Sequence, residues 1–350
     1  MLLANWPRLP RFGGTRALIL ALSMGCFAVL GAGVLMVGDT ASQTPASVGP
    51  ELILQGHRFP ILAVAFAPDA STLATGGGLL RQVDELMLWN PATSRDEPVV
   101  SGHKNRVEAL AFSPDGKTLA IGDDGGNVRL YDRSTGAEQT IWRGTGGFLS
   151  ALAFSRDGGT LAAANTDGKL QLWNTSDWTV RRQLQIPAGR VHSLVLIAAD
   201  PLLAIGCDTE RCEKVWDAAA GRARAIFPAR AGALACAALS PSGNFLAAGR
   251  MDGTVTLWDL RTQQARSVAG FHGSSVTALV FSPDERLLAT GSLDTLVKLW
   301  EVTTGRELAT LEGHTDTVRA LGFVEDSTRL ASGGDDKTVI LWNISALRTP

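Results

Sequence analysis

TVTLWDL, residues 254–260, decides how the rest of the chain is read. Its small and β-branched residues alternate with apolar ones, and an aspartate follows the tryptophan, as at the end of a half-buried strand. Six other segments copy it: ELMLWNP (85–91), NVRLYDR (127–133), KLQLWNT (169–175), CEKVWDA (212–218), LVKLWEV (296–302) and TVILWNI (338–344). Their aromatic residues are Trp89, Tyr131, Trp173, Trp216, Trp258, Trp300 and Trp342, spaced 42, 42, 43, 42, 42 and 42 residues apart. A period this regular is the mark of a repeat architecture.

Two further phrases precede each aromatic. The nearer includes TLATGG, TLAIGD and LLATGS; the farther includes VAFAPDA, LAFSPDG and LVFSPDE. Each is short and apolar, bounded by Pro-Asp, Asp-Gly or Gly turns, which are strand and hairpin signals. A more polar run, such as RELATLEGH, links each aromatic to the next repeat. Four antiparallel strands therefore recur seven times, and no helical period is present after residue 38.

This pattern resembles the WD-repeat β-propeller family over residues 51–344. The family's Gly-His pair stands at Gly56-His57, Gly102-His103 and Gly313-His314, with Phe271-His272 in the same slot. The Trp-Asp ending is literal at Trp216-Asp217 and Trp258-Asp259. The turn aspartate, six residues before the aromatic, matches Asp167, Asp252, Asp294 and Asp336. The expected fold is all-β: a seven-bladed propeller of four-stranded antiparallel blades. After Trp342 only eight residues remain, too few for an outer strand, whereas ELILQGH before His57 copies ELATLEGH. The strand at Glu51–Leu54 is thus expected to complete the last blade and close the ring, which removes open sheet edges.

The N-terminus is a different object. Arg8, Arg11 and Arg16 precede 22 residues without a charge (17–38), long enough for one hydrophobic helix across a bilayer. Residues 1–38 read as a membrane anchor, or as a signal peptide cut near Gly31–Gly33, in which case the protein is secreted. The arginines favour a cytoplasmic N-terminus, leaving the propeller outside the cytoplasm, in the periplasm if the source is bacterial. Residues 39–50, DTASQTPASVGP, read as a flexible linker before a propeller over 51–350.

The resemblance implies hydrogen-bonded tetrads of His, Ser or Thr, Asp and Trp. Two sets are complete: His272, Thr290, Asp294, Trp300 and His314, Ser332, Asp336, Trp342. Such a set also suits acyl transfer. Its recurrence at a repeat position argues for structure, because a single active site does not appear twice at equivalent fold positions. Elsewhere the pattern lapses: Thr145, Gly189 and Arg230 lie near the histidine slot of blades three to five, and Gly125 replaces the turn aspartate of blade two.

Cys207 and Cys212 flank a turn that is one residue longer than usual. Placed on facing strand ends outside the cytoplasm, they are expected to form a disulfide. A zinc clip would need further ligands, which are missing nearby. Cys236 reads as a buried small hydrophobe. The sequons Asn174-Thr175-Ser176 and Asn343-Ile344-Ser345 coincide with the Trp-Asp position and carry no weight.

No catalytic, cofactor or metal site is expected. A net charge of -2 gives no reason to expect nucleic acid as a partner. The expectation is a membrane-tethered scaffold that binds a protein partner. The competing reading is an enzyme or small-ligand propeller with its site in the central channel. Loops entering the first strands carry Arg58, Lys104, Arg106, Arg143, Arg190 and Arg230, with Phe59 and Phe148 as apolar anchors. Gathered at one channel mouth, they would suit a partner with an acidic surface.

Overall fold

The computed structural model describes residues 46–348, apart from 81–82, 94, 98–104, 144–146, 187–190, 197–201, 208–212, 218–221, 228–232 and 263. Residues 1–38, and with them the anchor or signal segment, lie outside the described residues. Among the described residues no helix is long and apolar enough to cross a membrane. Ser345–Arg348 forms one 3-10 turn.

The strands assemble into seven sheets. Their first strands are Ile61–Phe66, Val107–Phe112, Leu149–Phe154, Val191–Leu196, Leu234–Leu239, Val276–Phe281 and Val318–Phe323. Each sheet continues outward through antiparallel hairpins, so consecutive strands in sequence are neighbours in space. Each first strand touches the first strand of the next sheet, and Val318–Phe323 touches Ile61–Phe66, so the cycle is closed. This is a β-propeller with the first strands around its channel.

Closure uses the N-terminal strand. Strand β1 is Ala46–Val48 and strand β2 is Leu52–Gln55. The outer place in the last sheet is taken by β2, whose Leu52, Ile53, Leu54 and Gln55 stand opposite Leu341, Ile340, Val339 and Thr338. Glu51, placed in that strand by the sequence pattern, lies just before it and forms a two-bonded pair with Arg329, at 2.8 and 3.1 Å. The end of the expected linker is structured too. Ala46, Ser47 and Val48 pair in parallel with Ala309, Thr310 and Leu311, making β1 a fifth strand on the sixth sheet. Val48 is the apolar residue of this short run and packs on the core cluster beneath it, which explains the ordering.

The sheets pack face to face through a recurring small-against-large contact. A Cβ on Gly122 would lie 1.9 Å from Leu149 Cδ2 of the next sheet, and one on Gly333 would lie 2.6 Å from Ile61 Cγ2 across the closing seam. Gly76 against Val107, Gly249 against Val276 and Gly291 against Val318 repeat it, each at 2.5 to 2.6 Å. The second strand therefore uses glycine where the neighbouring blade's branched side chain must enter. Between these contacts, Trp173, Trp300 and Trp342 are fully buried. Burial of such a side chain is worth roughly 1.5–3 kcal/mol.

Candidate docking face

Among the described residues, three blades carry complete polar tetrads. In the sixth, His272 Nδ1 lies 3.0 Å from Asp294 Oδ2 and Nε2 lies 2.7 Å from Thr290 Oγ1, which also accepts from Trp300 Nε1 at 2.9 Å. In the seventh, His314 contacts Asp336 at 2.8 Å and Ser332 at 2.7 Å, and Trp342 donates to Ser332 at 2.8 Å. The third set is His57, Thr75, Glu85 and Trp89. Here His57 lies 2.8 Å from Glu85 and 2.7 Å from Thr75, and Trp89 donates to Thr75 at 2.7 Å.

Glu85 escapes the sequence pattern because the first blade has a longer hairpin. Thr75 and Trp89 are 14 positions apart, against 10 for Thr290 and Trp300, so the turn slot is displaced by four. Strand pairing continues out to Leu79 opposite Val83. The acid then stands four residues before the aromatic rather than six, and it is Glu rather than Asp. A carboxylate close to a histidine in a lengthened hairpin was the available signal.

Each tetrad is a continuous hydrogen-bonded chain. A carboxylate only accepts, so Nδ1 carries the ring proton and Nε2 must accept from the hydroxyl. The hydroxyl oxygen in turn accepts the indole N–H. Ser332 and Thr290 are wholly buried, and each bonds an imidazole on one side and an indole N–H on the other. Burial alone would raise the carboxyl of Asp336, but hydrogen bonds from His314 and from the Thr315 and Thr338 backbone outweigh it and bring it to about 2. Asp294 and Glu85 are likewise held below their usual range, against the opposing effect of burial. His272 is pushed down by burial, despite Asp294 beside it.

In the third blade an alanine replaces the hydroxyl. Trp173 Nε1 is buried without a partner in the third blade, and Ala163 occupies the hydroxyl slot. Asp167 and Asp252 match the turn aspartate but are exposed, and Asp252 accepts from Thr254 two residues on.

The tetrads mark one end of the ring, where loops into the first strands meet the second hairpins. Large apolar side chains are exposed there. Phe271 is 69% and Met251 61% accessible, and Leu293 and the hairpin residues Leu79 and Leu80 are also exposed. Phe271 stands opposite Thr254, and His272 N donates to Gly253 O at 3.0 Å, which brings Phe271 close to the Met251 turn. Leu293 adjoins Asp294, the partner of that same His272. Next to the channel, Leu79, Leu80, Pro60 and Phe148 border a cavity of about 660 Å3.

The expected basic arc is only partly in view. Arg58 and Arg143 are exposed, and Phe59 and Phe148 are half-buried. Arg58 and Phe59 donate their backbone N–H groups to Glu85. Arg106 is not a free charge: Glu108, two residues along the same strand face, pairs with it through two bonds. Lys104, Arg190 and Arg230 lie outside the described residues. Arg319, outside the expected arc, reaches the channel and forms a bidentate pair with Asp335 at 2.7 to 3.0 Å. The rest of the channel wall named by the first strands is Ala, Leu, Val, Ser and Thr, with Cys236. That cysteine is half-buried at the wall rather than fully enclosed. Among the described residues no cluster of His, Cys, Asp and Glu could hold a metal.

The proposed Cys207–Cys212 bond falls outside the described residues. The Cα opposite Cys207 is that of Glu213, one position beyond Cys212.

The family model described as WD domain, G-beta repeat matches residues 49–79, 96–132, 136–174, 222–259, 265–301 and 305–343, more than half of the chain. The chain belongs to the WD-repeat family. Six repeats are matched where the sequence spacing suggests seven. The unmatched stretch, 175–221, contains the three inner strands of the sheet that starts at Val191–Leu196. That WD-repeat blade combines Gly189 near the histidine slot and Ile205 in the second strand with a spacing of 43 rather than 42 residues from the preceding aromatic. None of the curated proteins matches the chain.

Proposed function

We propose that this chain is a membrane-tethered, extracytoplasmic scaffold whose WD repeats close into a seven-bladed ring and dock a protein partner on the tetrad-bearing end. The observation that carries this reading is the placement of exposed apolar surface. Of the seven large hydrophobic residues exposed among the described residues, five stand on that end; Ile53 and Val180 do not. Exposed apolar groups grouped on one face mark interaction surfaces. Arg58 and Arg143 beside them favour an acidic partner surface through steering, and aromatic anchors such as Phe271 are where binding energy concentrates. The tether is residues 17–38.

Site-specific photocrosslinking tests the face. A benzophenone side chain at Phe271 or Leu80 is expected to trap one discrete partner in membranes, and the same group at Ile53 or Val180 is expected to trap none. Crosslinking from the two rim positions alone would move the interface off this end. A reporter active only outside the cytoplasm, fused after Pro350, is expected to work; activity only inside would overturn the topology.

A further inference from the structure

Lys337 stands where other repeats carry glycine. It precedes Trp342 by five residues, as Gly126 precedes Tyr131, Gly168 precedes Trp173 and Gly253 precedes Trp258. All four lie in the left-handed region, with φ of +65° at Lys337 and +75°, +78° and +85° at the three glycines. The same bond closes the turn: Lys337 N to Gly334 O and Gly253 N to Arg250 O are both 3.1 Å. This conformation is easy for glycine and costly for a residue with a Cβ. Thr295 shares it in the sixth blade, with φ of +71°, but is half-buried, whereas Lys337 is exposed. Strain of this kind gathers at sites where the side chain has a contact to make.

The local bonds do not call for lysine. Asp336 caps the turn by accepting from Thr338 N at 3.0 Å, but Asp252 caps the Gly253 turn in the same way, from Thr254 N at 3.0 Å. The two carboxylates that precede Lys337 are engaged, Asp336 with His314 at 2.8 Å and Asp335 with Arg319 at 2.7 Å. Among the described residues the Lys337 ammonium has no hydrogen bond or ion pair. A second cation stands close by. Gln55 lies opposite Thr338; one step further along the two chains are Gly56 and Lys337, and Arg58 follows two residues later. Opposed Cα atoms are about 5 Å apart and two residues of chain span at most about 7 Å, so the two side chains are within reach of one group bound between them. Arg58 is exposed and donates its backbone N–H to Glu85, while its guanidinium has no partner among the described residues.

We propose that Lys337 and Arg58 together receive an acidic side chain, aspartate or glutamate, of the protein that docks on the tetrad-bearing end, and that the strained turn is kept for this contact. The inference rests on the docking-face reading and adds the residue type met at the seam. Arg58 offers a planar fork that matches the two oxygens of a carboxylate, and Lys337 offers a compact second charge. Glu85 fixes the backbone at Arg58, and the closed turn fixes it at Lys337. Both side chains therefore start from set positions, which lowers the ordering cost of the contact.

The test is zero-length coupling in membranes that carry the full-length protein with benzophenone at Leu80. A carbodiimide, which joins an amine to a carboxylate with loss of water, is applied first, and light then traps the partner. Mass spectrometry of the trapped adduct is expected to show Lys337 in an isopeptide bond to an aspartate or glutamate of the trapped protein. Lys337→Asn, which suits the turn, is expected to lower the yield of photo-adduct about fivefold at limiting partner. Its melting temperature is expected to stay level or rise by up to about 2 °C. Lys337→Arg keeps most of the yield and Arg58→Gln lowers it. Lys117→Gln, on the turn between the first two strands of the second sheet, leaves it unchanged. A Lys337 left uncoupled or coupled only within its own chain, or yields indifferent to both Lys337→Asn and Arg58→Gln, would overturn the proposal and leave the docking face standing. A melting temperature several degrees lower for Lys337→Asn would overturn it in favour of a structural role. Absence of any adduct from Leu80 in the parent would remove the docking face, and this contact with it.

Discussion

Ser332 Oγ accepts the Trp342 indole N–H at 2.8 Å and serves His314 Nε2 at 2.7 Å. Ser332→Ala removes both at once and leaves two buried polar groups unsatisfied, each worth about 1–3 kcal/mol. Denaturant unfolding of the variant is expected to show a loss of about 2–4 kcal/mol, and Ser332→Thr is expected to restore most of it. The reverse change is available in the third blade. Ala163→Ser places a hydroxyl in the slot beside the orphaned Trp173 Nε1, and a gain of about 1 kcal/mol is expected. A lower melting temperature for Ala163→Ser would show that the hydroxyl does not reach the indole.

At the scale of strands, adjacent blades meet where glycine makes room. Gly333→Ala would drive a methyl to 2.6 Å from Ile61 Cγ2, across the seam where the last blade meets the first. Overpacking of this kind costs about 1–3 kcal/mol. Gly49→Ala, with nothing within 4 Å of the added carbon, is the matched control and is expected to be near neutral. Equal melting temperatures for the two variants would mean that the seam yields freely. The Glu51–Arg329 pair at the same seam is exposed, and such pairs contribute about 0–1 kcal/mol, so backbone pairing of β2 and the side chains behind it hold the closure.

Across the whole ring, the tetrads sit on the sixth, seventh and first blades, three neighbours flanking the seam. Their titrations act together. Asp294, Asp336 and Glu85 have lowered folded values, so their contribution is full above the unfolded values of 3.8 and 4.5 and is lost as pH falls toward about 2 for Asp336. His272 is also lowered, from 6.5, so below that pH the unfolded chain takes up a proton that the folded one resists. Both effects reduce stability on acidification, His272 first and the carboxylates below about pH 4.5. Amide protection factors, corrected for the intrinsic exchange rate at each pH, are therefore expected to fall in β2 and the sixth, seventh and first blades earlier than in the third as pH drops from 7 to 4. A uniform fall in protection around the ring would refute a seam-centred response.

What the sequence determined by itself is what a period can report. The 42-residue spacing, the alternation and the turn residues specify strands, hairpins, blade faces and the closing role of the N-terminal strand. The tetrads of the sixth and seventh blades were legible because each member sits at a fixed offset within its own repeat. Only the tertiary structure decided the rest. Glu85 joins a tetrad because a lengthened hairpin brings it back toward His57, and Arg319 is paired because register sets Asp335 beside it. Ala46–Val48 becomes a strand through partners more than 250 positions away. Trp178 meets a cavity formed with the neighbouring blade. The physical reason is common to all four. A repeat encodes backbone direction and side-chain face locally, whereas charge pairing and cavity shape depend on side-chain reach and on which surface the next element presents.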